Sequence, residues 1–149
     1  MSERETMLLT ELGRLLEELG SDFCALGLLD PDTRILAWGW AKGNISDQYL
    51  SIQDKPGRGF HRSVVKIGRA MSLHVSELIG SRQLHEYPIL LAEKLRSAYA
   101  VPLWNGREVA GVLLVGDRVR RIYRPEDRSR AVRAGERIAG MVGLAAADS

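Results

Sequence analysis

Asp54-Lys55-Pro56-Gly57-Arg58-Gly59-Phe60-His61-Arg62-Ser63-Val64-Val65-Lys66-Ile67-Gly68 is the stretch from which the chain is best read. Its Pro-Gly-x-Gly core breaks regular structure. Phe60, Val64 and Ile67 then follow at helical spacing, and Gly68 suits a helix end. A short helix is expected to begin at about Phe60, directly after two glycines. Its first backbone N–H groups have no intrahelical acceptor. A glycine-rich approach lets a small anion come close to them, and the helix dipole favours negative charge there. The same pattern also fits glycines that only shape a tight loop, with a side chain or water capping the helix.

On either side lie strands, and beyond the strands lie helices. Leu8, Leu12, Leu15, Leu16 and Leu19 form one stripe of an amphipathic helix over residues 3–19, which Gly20 stops. Residues 22–29 form an apolar run, followed by the turn Asp30-Pro31-Asp32 and residues 35–42, a hairpin by its chemistry. On the second of these strands period-two alternation places Leu36, Trp38, Trp40 and Lys42 on one face. Residues 70–75 are a third strand. Residues 96–103, the turn Trp104-Asn105-Gly106-Arg107 and residues 108–116 form a second hairpin, with Asn-Gly as its signal. Pro125, Glu126 and Asp127 open a last helix over 125–146, whose apolar positions are Ala131, Ala134, Ile138, Met141, Val142 and Ala145. The expected architecture is an α+β sheet with its terminal helices packed together on one face.

The 149 residues suit a single domain over 1–149. Apolar residues make up 45% and charged residues 27%, enough for a core without staples. A net charge of +2 does not mark a dedicated nucleic-acid binder. The lone cysteine, Cys24, excludes an internal disulfide framework and a multi-cysteine metal site, and it sits in an apolar strand. Apolar runs such as 23–29 fall well short of the roughly 18 residues of a membrane span, and the first residues carry no signal region. A cytoplasmic protein without membrane contact is expected. Acidic residues gather in 1–22 and arginines in 118–137, two helix faces of opposite sign that could pair, stay solvated or, for the arginines, hold phosphate.

Chemistry-bearing motifs are few. There is no Walker loop, no G-x-G-x-x-G and no nucleophile elbow. His61, His74 and His85 lack metal-ligand spacing, so no metal is expected. Asp47, Asp54 and Glu86 read as surface carboxylates, and catalysis has no support in the sequence. Two features could converge on the start of the short helix. Trp38 and Trp40 each carry an indole N–H, which donates and never accepts. They could equally be core residues bonded to backbone carbonyls. Tyr87-Pro88-Ile89 interrupts an otherwise helical stretch, and Tyr87 offers a hydroxyl there, or simply packs in a loop.

The order of elements, the chain length and the central Pro-Gly-x-Gly with its short helix resemble a GAF domain. The segments Trp38-Gly39-Trp40-Ala41-Lys42-Gly43-Asn44, Tyr49, Pro56-Gly57-Arg58-Gly59, Lys66-Ile67-Gly68-Arg69 and Tyr87-Pro88-Ile89 are similar to the stand-alone nitrate-receptor GAF proteins of the Nre-type nitrate-regulation system. The resemblance implies an antiparallel GAF-like sheet, terminal helices on one face, and short helices and loops enclosing a small pocket on the other. It implies a nitrate ligand held by the backbone N–H groups of Phe60 and His61, lined by Trp38 with Trp40 beside it, and closed by Tyr87, Pro88 and Ile89. Nitrate is a planar monoanion with three acceptor oxygens and a weakly held hydration shell. Neutral donors in a small apolar pocket suit it better than a cluster of arginines. The family carries small apolar residues after the glycine turn, where this chain has Phe60 and His61. Backbone donors do not depend on the side chain, although the bulk narrows a cavity and a protonated His61 alters anion preference.

The function so implied is that of a non-catalytic nitrate receptor with no cofactor, which modulates a partner sensor histidine kinase in the control of nitrate respiration. The terminal helices are the surface for that kinase or for a homodimer. The alternatives are a GAF module for another small ligand, a cyclic nucleotide included, or a pure protein-interaction domain. Free methionine sulfoxide reductases also have this size, but they need several cysteines.

Overall fold

The leucine stripe of the N-terminal segment produces helix α1, Glu3–Leu19. The Ser2 hydroxyl oxygen caps it by accepting the Glu5 amide at 3.1 Å, and Gly20 ends it. The computed structural model describes residues 2–145. After α1 come β1 (Phe23–Leu29), β2 (Leu36–Lys42), β3 (Gln53–Asp54) and β4 (Met71–His74). Next are α2 (Val75–Gly80), α3 (Pro88–Ala92), β5 (Ser97–Asn105), β6 (Glu108–Asp117) and α4 (Pro125–Met141). The strands form one antiparallel sheet of six in the order β3-β2-β1-β6-β5-β4.

The two faces of the sheet bury different parts of the chain. Cys24, Leu26, Val101, Leu113 and Val115 point to one face, where they meet Leu8, Leu12 and Leu15 of α1 and Ala131, Ala134 and Ile138 of α4. The helices meet each other there, and Arg137 Nε donates to Glu11 Oε1 across them at 2.6 Å. Phe23, Ala25, Trp38, Ala98, Ala100, Val112 and Leu114 point to the other face. Among the described residues, everything that covers that face comes from residues 43–96, the segment between β2 and β5. The expected α+β architecture is the one observed.

Several expectations need correction. The last helix stops at Met141 rather than running on to 146. Gly143, at φ 81°, turns the chain out of the helix, and residue 146 lies outside the described residues. The turn of the β5–β6 hairpin holds only Gly106 and Arg107, because Asn105 pairs with Glu108 inside the ladder. β3 is an edge strand of two residues, too short to show as a hydrophobic pattern. The arginines of 118–137 are not simply a solvated face: Arg118 and Arg121 are half-buried and hold loops together.

Trp38 and Trp40 do not share a face. The β1–β2 register shifts between Leu26, opposite Trp40, and Gly27, opposite Trp38. Gly39 is the extra residue of this bulge, and one extra residue reverses the alternation. Trp38 therefore packs under the 43–96 segment, whereas Trp40 packs on the helix face. Lys42 follows Trp40 and runs beneath α1 at Gly13.

Candidate functional site

The helix expected after the two glycines is present over residues 59–67, with a π-helical turn at His61–Val65. Such turns are rare and often mark functional sites. Gly59 makes the entry sharp, with φ at 51°. A Cβ on it would lie 2.5 Å from the Glu86 carbonyl oxygen and 2.7 Å from Asp54 Oδ2, so no larger residue fits. Val64 and Val65 anchor the helix in the core and Ile67 stays exposed.

Phe60 is fully buried between two other aromatic rings. Trp38 meets it edge-on at a centroid distance of 5.6 Å and 80°, and Tyr87 meets it at 4.9 Å and 70°. Contacts of this geometry contribute about 0.5–1.5 kcal/mol each beyond area burial. Ile89 is buried in the same cluster, and Pro88 opens α3 at its edge, half-buried. Of the seven residues expected at the site, Trp38, Phe60, Tyr87 and Ile89 share one cluster with Pro88 and His61 at its margin. The bulge separates Trp40 from them.

The polar groups are arranged as follows. The Trp38 indole Nε1 is buried and has no hydrogen-bond partner. The Tyr87 hydroxyl donates to Ser63 Oγ at 3.2 Å, and Ser63 Oγ donates to the Gly59 carbonyl at 3.0 Å. The His61 amide donates to the Arg58 carbonyl at 3.0 Å. The imidazole Nε2 of His61 is buried without a partner. Burial first, and the positive charge of Arg34 second, push that imidazole toward its neutral form. The Phe60 amide, one of the first donors of the helix, is taken by Asp54 Oδ2 at 2.9 Å.

Asp54 corrects the reading of the carboxylates as surface groups, although Asp47 is indeed exposed. Asp54 is 4% exposed, at the end of β3 and tucked against Gly59. Burial pushes its carboxyl up to about 6, opposed by the Phe60 hydrogen bond. Glu86 is largely covered as well and pairs with Arg62. One signal for Asp54 is present in the sequence: an aspartate shortly before a helix start is a capping candidate. Its six-residue separation from Phe60 hides that role, because the intervening glycine loop must fold back first.

A second buried carboxylate ties the 43–96 segment to the rest of the fold. Glu93 is fully buried, and its Oε1 accepts the Ile45 amide at 2.9 Å and Arg118 Nη2 at 2.8 Å. Arg118 also donates from Nε to the Glu93 carbonyl and from Nη2 to the Gly43 carbonyl. Among the described residues no three His, Cys, Asp or Glu side chains gather as metal ligands would. No helix of the described residues is long and apolar enough to cross a membrane.

The comparisons with known proteins bear on the family and the fold. A family model described as the GAF domain matches residues 2–146. The structure is similar to that of an NreA protein from Staphylococcus aureus, described as mutated in its nitrate binding site. The two share 31% identity at a TM-score of 0.71, over 83% of this chain and 94% of that one. A hypothetical protein of S. aureus is 33% identical at a TM-score of 0.69, over 77% of this chain and 95% of its own. The GAF domain of an Acinetobacter phosphoenolpyruvate-protein phosphotransferase has a TM-score of 0.77 at 17% identity, over 95% and 83% of the two chains, and shares the fold alone. No curated protein matches the sequence. With its sheet, its terminal helices and its covering segment all accounted for, the chain belongs to the GAF domain family.

Proposed function

We propose that this protein is a non-catalytic receptor for nitrate, bound where the 59–67 helix begins beneath Trp38. The observation that carries the reading is the Trp38 indole N–H, buried without an acceptor in the cluster that holds the helix start. A buried donor without a partner costs about 1–3 kcal/mol, and an anion beside it would remove that cost. The similarity to NreA supports nitrate as the anion. Phe60, Ile89 and the neutral Tyr87–Ser63 pair give the apolar, weakly polar lining that a weakly hydrated monoanion favours. His61, Pro88 and the Phe60 and His61 amides complete the proposed lining.

We infer further that the receptor acts on a partner sensor histidine kinase, through a surface that differs between empty and liganded protein. The α1–α4 side supplies a basic cleft of Arg14, Arg130, Arg133 and Arg137 with Glu18 among them, suited to an acidic partner. A homodimer through the same helices would use this side as well. One observation favours a second reading, a GAF module that binds another ligand or only a protein: Phe60 fills the space between Trp38 and Tyr87, and both helix-start amides already have acceptors.

Thermal unfolding of ligand-free protein, titrated with nitrate against chloride, nitrite, sulfate and phosphate at matched ionic strength, separates the two. A native-state ligand at a hundredfold excess over Kd stabilises by about 2.7 kcal/mol, a rise of several degrees for this size. A saturable shift with nitrate, absent with chloride and lost in Trp38→Ala, establishes the receptor. No shift with any anion leaves the interaction module, and the kinase would then be sought by capture from cells.

A further inference from the structure

We propose that Asp54 sets the affinity of the anion site: its carboxylate holds the Phe60 amide, and the site takes up nitrate together with one proton, which goes to Asp54. This rests on the receptor reading above. The donor that an incoming anion needs is the one Asp54 holds at 2.9 Å, and the carboxylate is itself buried beside it, pressed against Gly59. An anion at the helix start would meet a second negative charge across a distance of about one hydrogen bond, in surroundings too dry to screen it.

No described cation is paired with Asp54. On its own segment Lys55 and Arg58 are exposed. On the helix, the His61 imidazole is held toward its neutral form and Arg62 is committed to Glu86. From the facing segment come Glu86 itself and the Tyr87 hydroxyl, which is turned to Ser63. From the β1–β2 loop Arg34 acts on His61 and donates to the Val109 carbonyl. Among the described residues the carboxylate therefore lacks a countercharge, and its only hydrogen-bond donor there is the Phe60 amide. Protonation from solvent resolves the conflict. The neutral carboxyl releases the Phe60 N–H to the anion and turns its own O–H toward it, so that a competitor becomes a donor. Burial, which already raises this carboxyl to about 6, makes the protonation accessible near neutral pH.

Calorimetric titration of nitrate into the whole protein at pH 5.5, 6.5 and 7.5 tests this, with two buffers of different ionisation heat at pH 7.5. The expected result is a Kd that weakens about tenfold per pH unit above about 6, with close to one proton taken up per nitrate at pH 7.5. Asp54→Asn should bind nitrate about 30-fold more tightly than wild type at pH 7.5, without pH dependence. His61→Gln should keep the proton uptake. A wild-type Kd that is flat with pH, with no proton uptake, overturns the proposal and leaves the receptor reading standing. So does an uptake that disappears in His61→Gln. If Asp54→Asn does not fold, the wild-type proton count and His61→Gln still decide. If nitrate binds no form at any pH, the receptor reading fails, and this proposal with it.

Discussion

The indole of Trp38 lies across Gly27 of the neighbouring strand so closely that a Cβ at Gly27 would come within 2.9 Å of the ring's Cε3. The absence of a side chain on β1 is thus what lets Trp38 lie flat under the 43–96 segment, with its N–H in the dry interior. Gly27→Ala should push the ring away and cost about 1–3 kcal/mol of stability through overpacking. Urea unfolding measures the loss. Nitrate affinity should fall in the same variant, since the indole donor moves with the ring.

The two tryptophans of β2 should separate cleanly. Trp38→Phe keeps an aromatic ring against Phe60 but removes the N–H, and should weaken nitrate binding about tenfold, the worth of one hydrogen bond. The empty variant should be as stable as wild type or about 1 kcal/mol more so, because an unsatisfied buried donor is gone. Trp40→Phe, on the opposite face, should leave the affinity unchanged. Equal losses in the two variants would contradict the assignment of the faces.

Asp54 should also govern how stability varies with pH in the absence of any ligand. Its folded-state carboxyl is raised to about 6 from an ordinary 3.8, so the folded protein keeps a proton that the unfolded chain has lost. Stability is full below about pH 4 and falls as pH rises through 6, by about 3 kcal/mol in all at pH 7. Asp54→Asn keeps an acceptor for the Phe60 amide and removes the titration. Its stability relative to wild type should grow from about zero at pH 4 to about 2–3 kcal/mol at pH 7, as denaturant titrations at each pH would read.

Arg118→Ala should be among the most damaging surface-proximal substitutions. It leaves the Glu93 carboxylate buried without its cation and frees the Gly43 and Glu93 carbonyls. Removing one partner of a buried pair costs about 3–5 kcal/mol. The double variant Arg118→Met with Glu93→Leu should recover part of this, and a double-mutant cycle by chemical denaturation checks it. No recovery would mean that the hydrogen bonds to Ile45 and Gly43 matter more than the charge.

What could be read from the sequence, and what could not, follows from the range of the signals. Leu8, Leu12, Leu15 and Leu19 report a local period, and α1 formed with the bounds it implies. Phe60, Val64 and Ile67 did the same for the short helix, and Gly59 for the loop before it. Trp40 lies on the face opposite to the one period-two alternation gives it, because that alternation presumes an unbroken ladder and the bulge at Gly39 depends on how β1 pairs with β2. Asp54 reads as a surface residue in the sequence because its burial comes from contact with Gly59 and Phe60 after the loop closes, and polar sequence neighbours say nothing of that. Glu93 and Arg118 are 25 residues apart, beyond any local pattern.

The covering of the Trp38 face by one uninterrupted stretch, 43–96, has a bearing on how such proteins diversify. A genetic exchange with two crossover points, one after β2 and one before β5, would replace the entire cap over the sheet. The helix pair and the central strands beneath it would be left as they were. The cap and the helix side can therefore be inherited separately, with the β2–β3 and β4–β5 pairings and Arg118, which reaches from the retained part to Gly43 and Glu93 of the exchanged part, among the joints that any replacement must match.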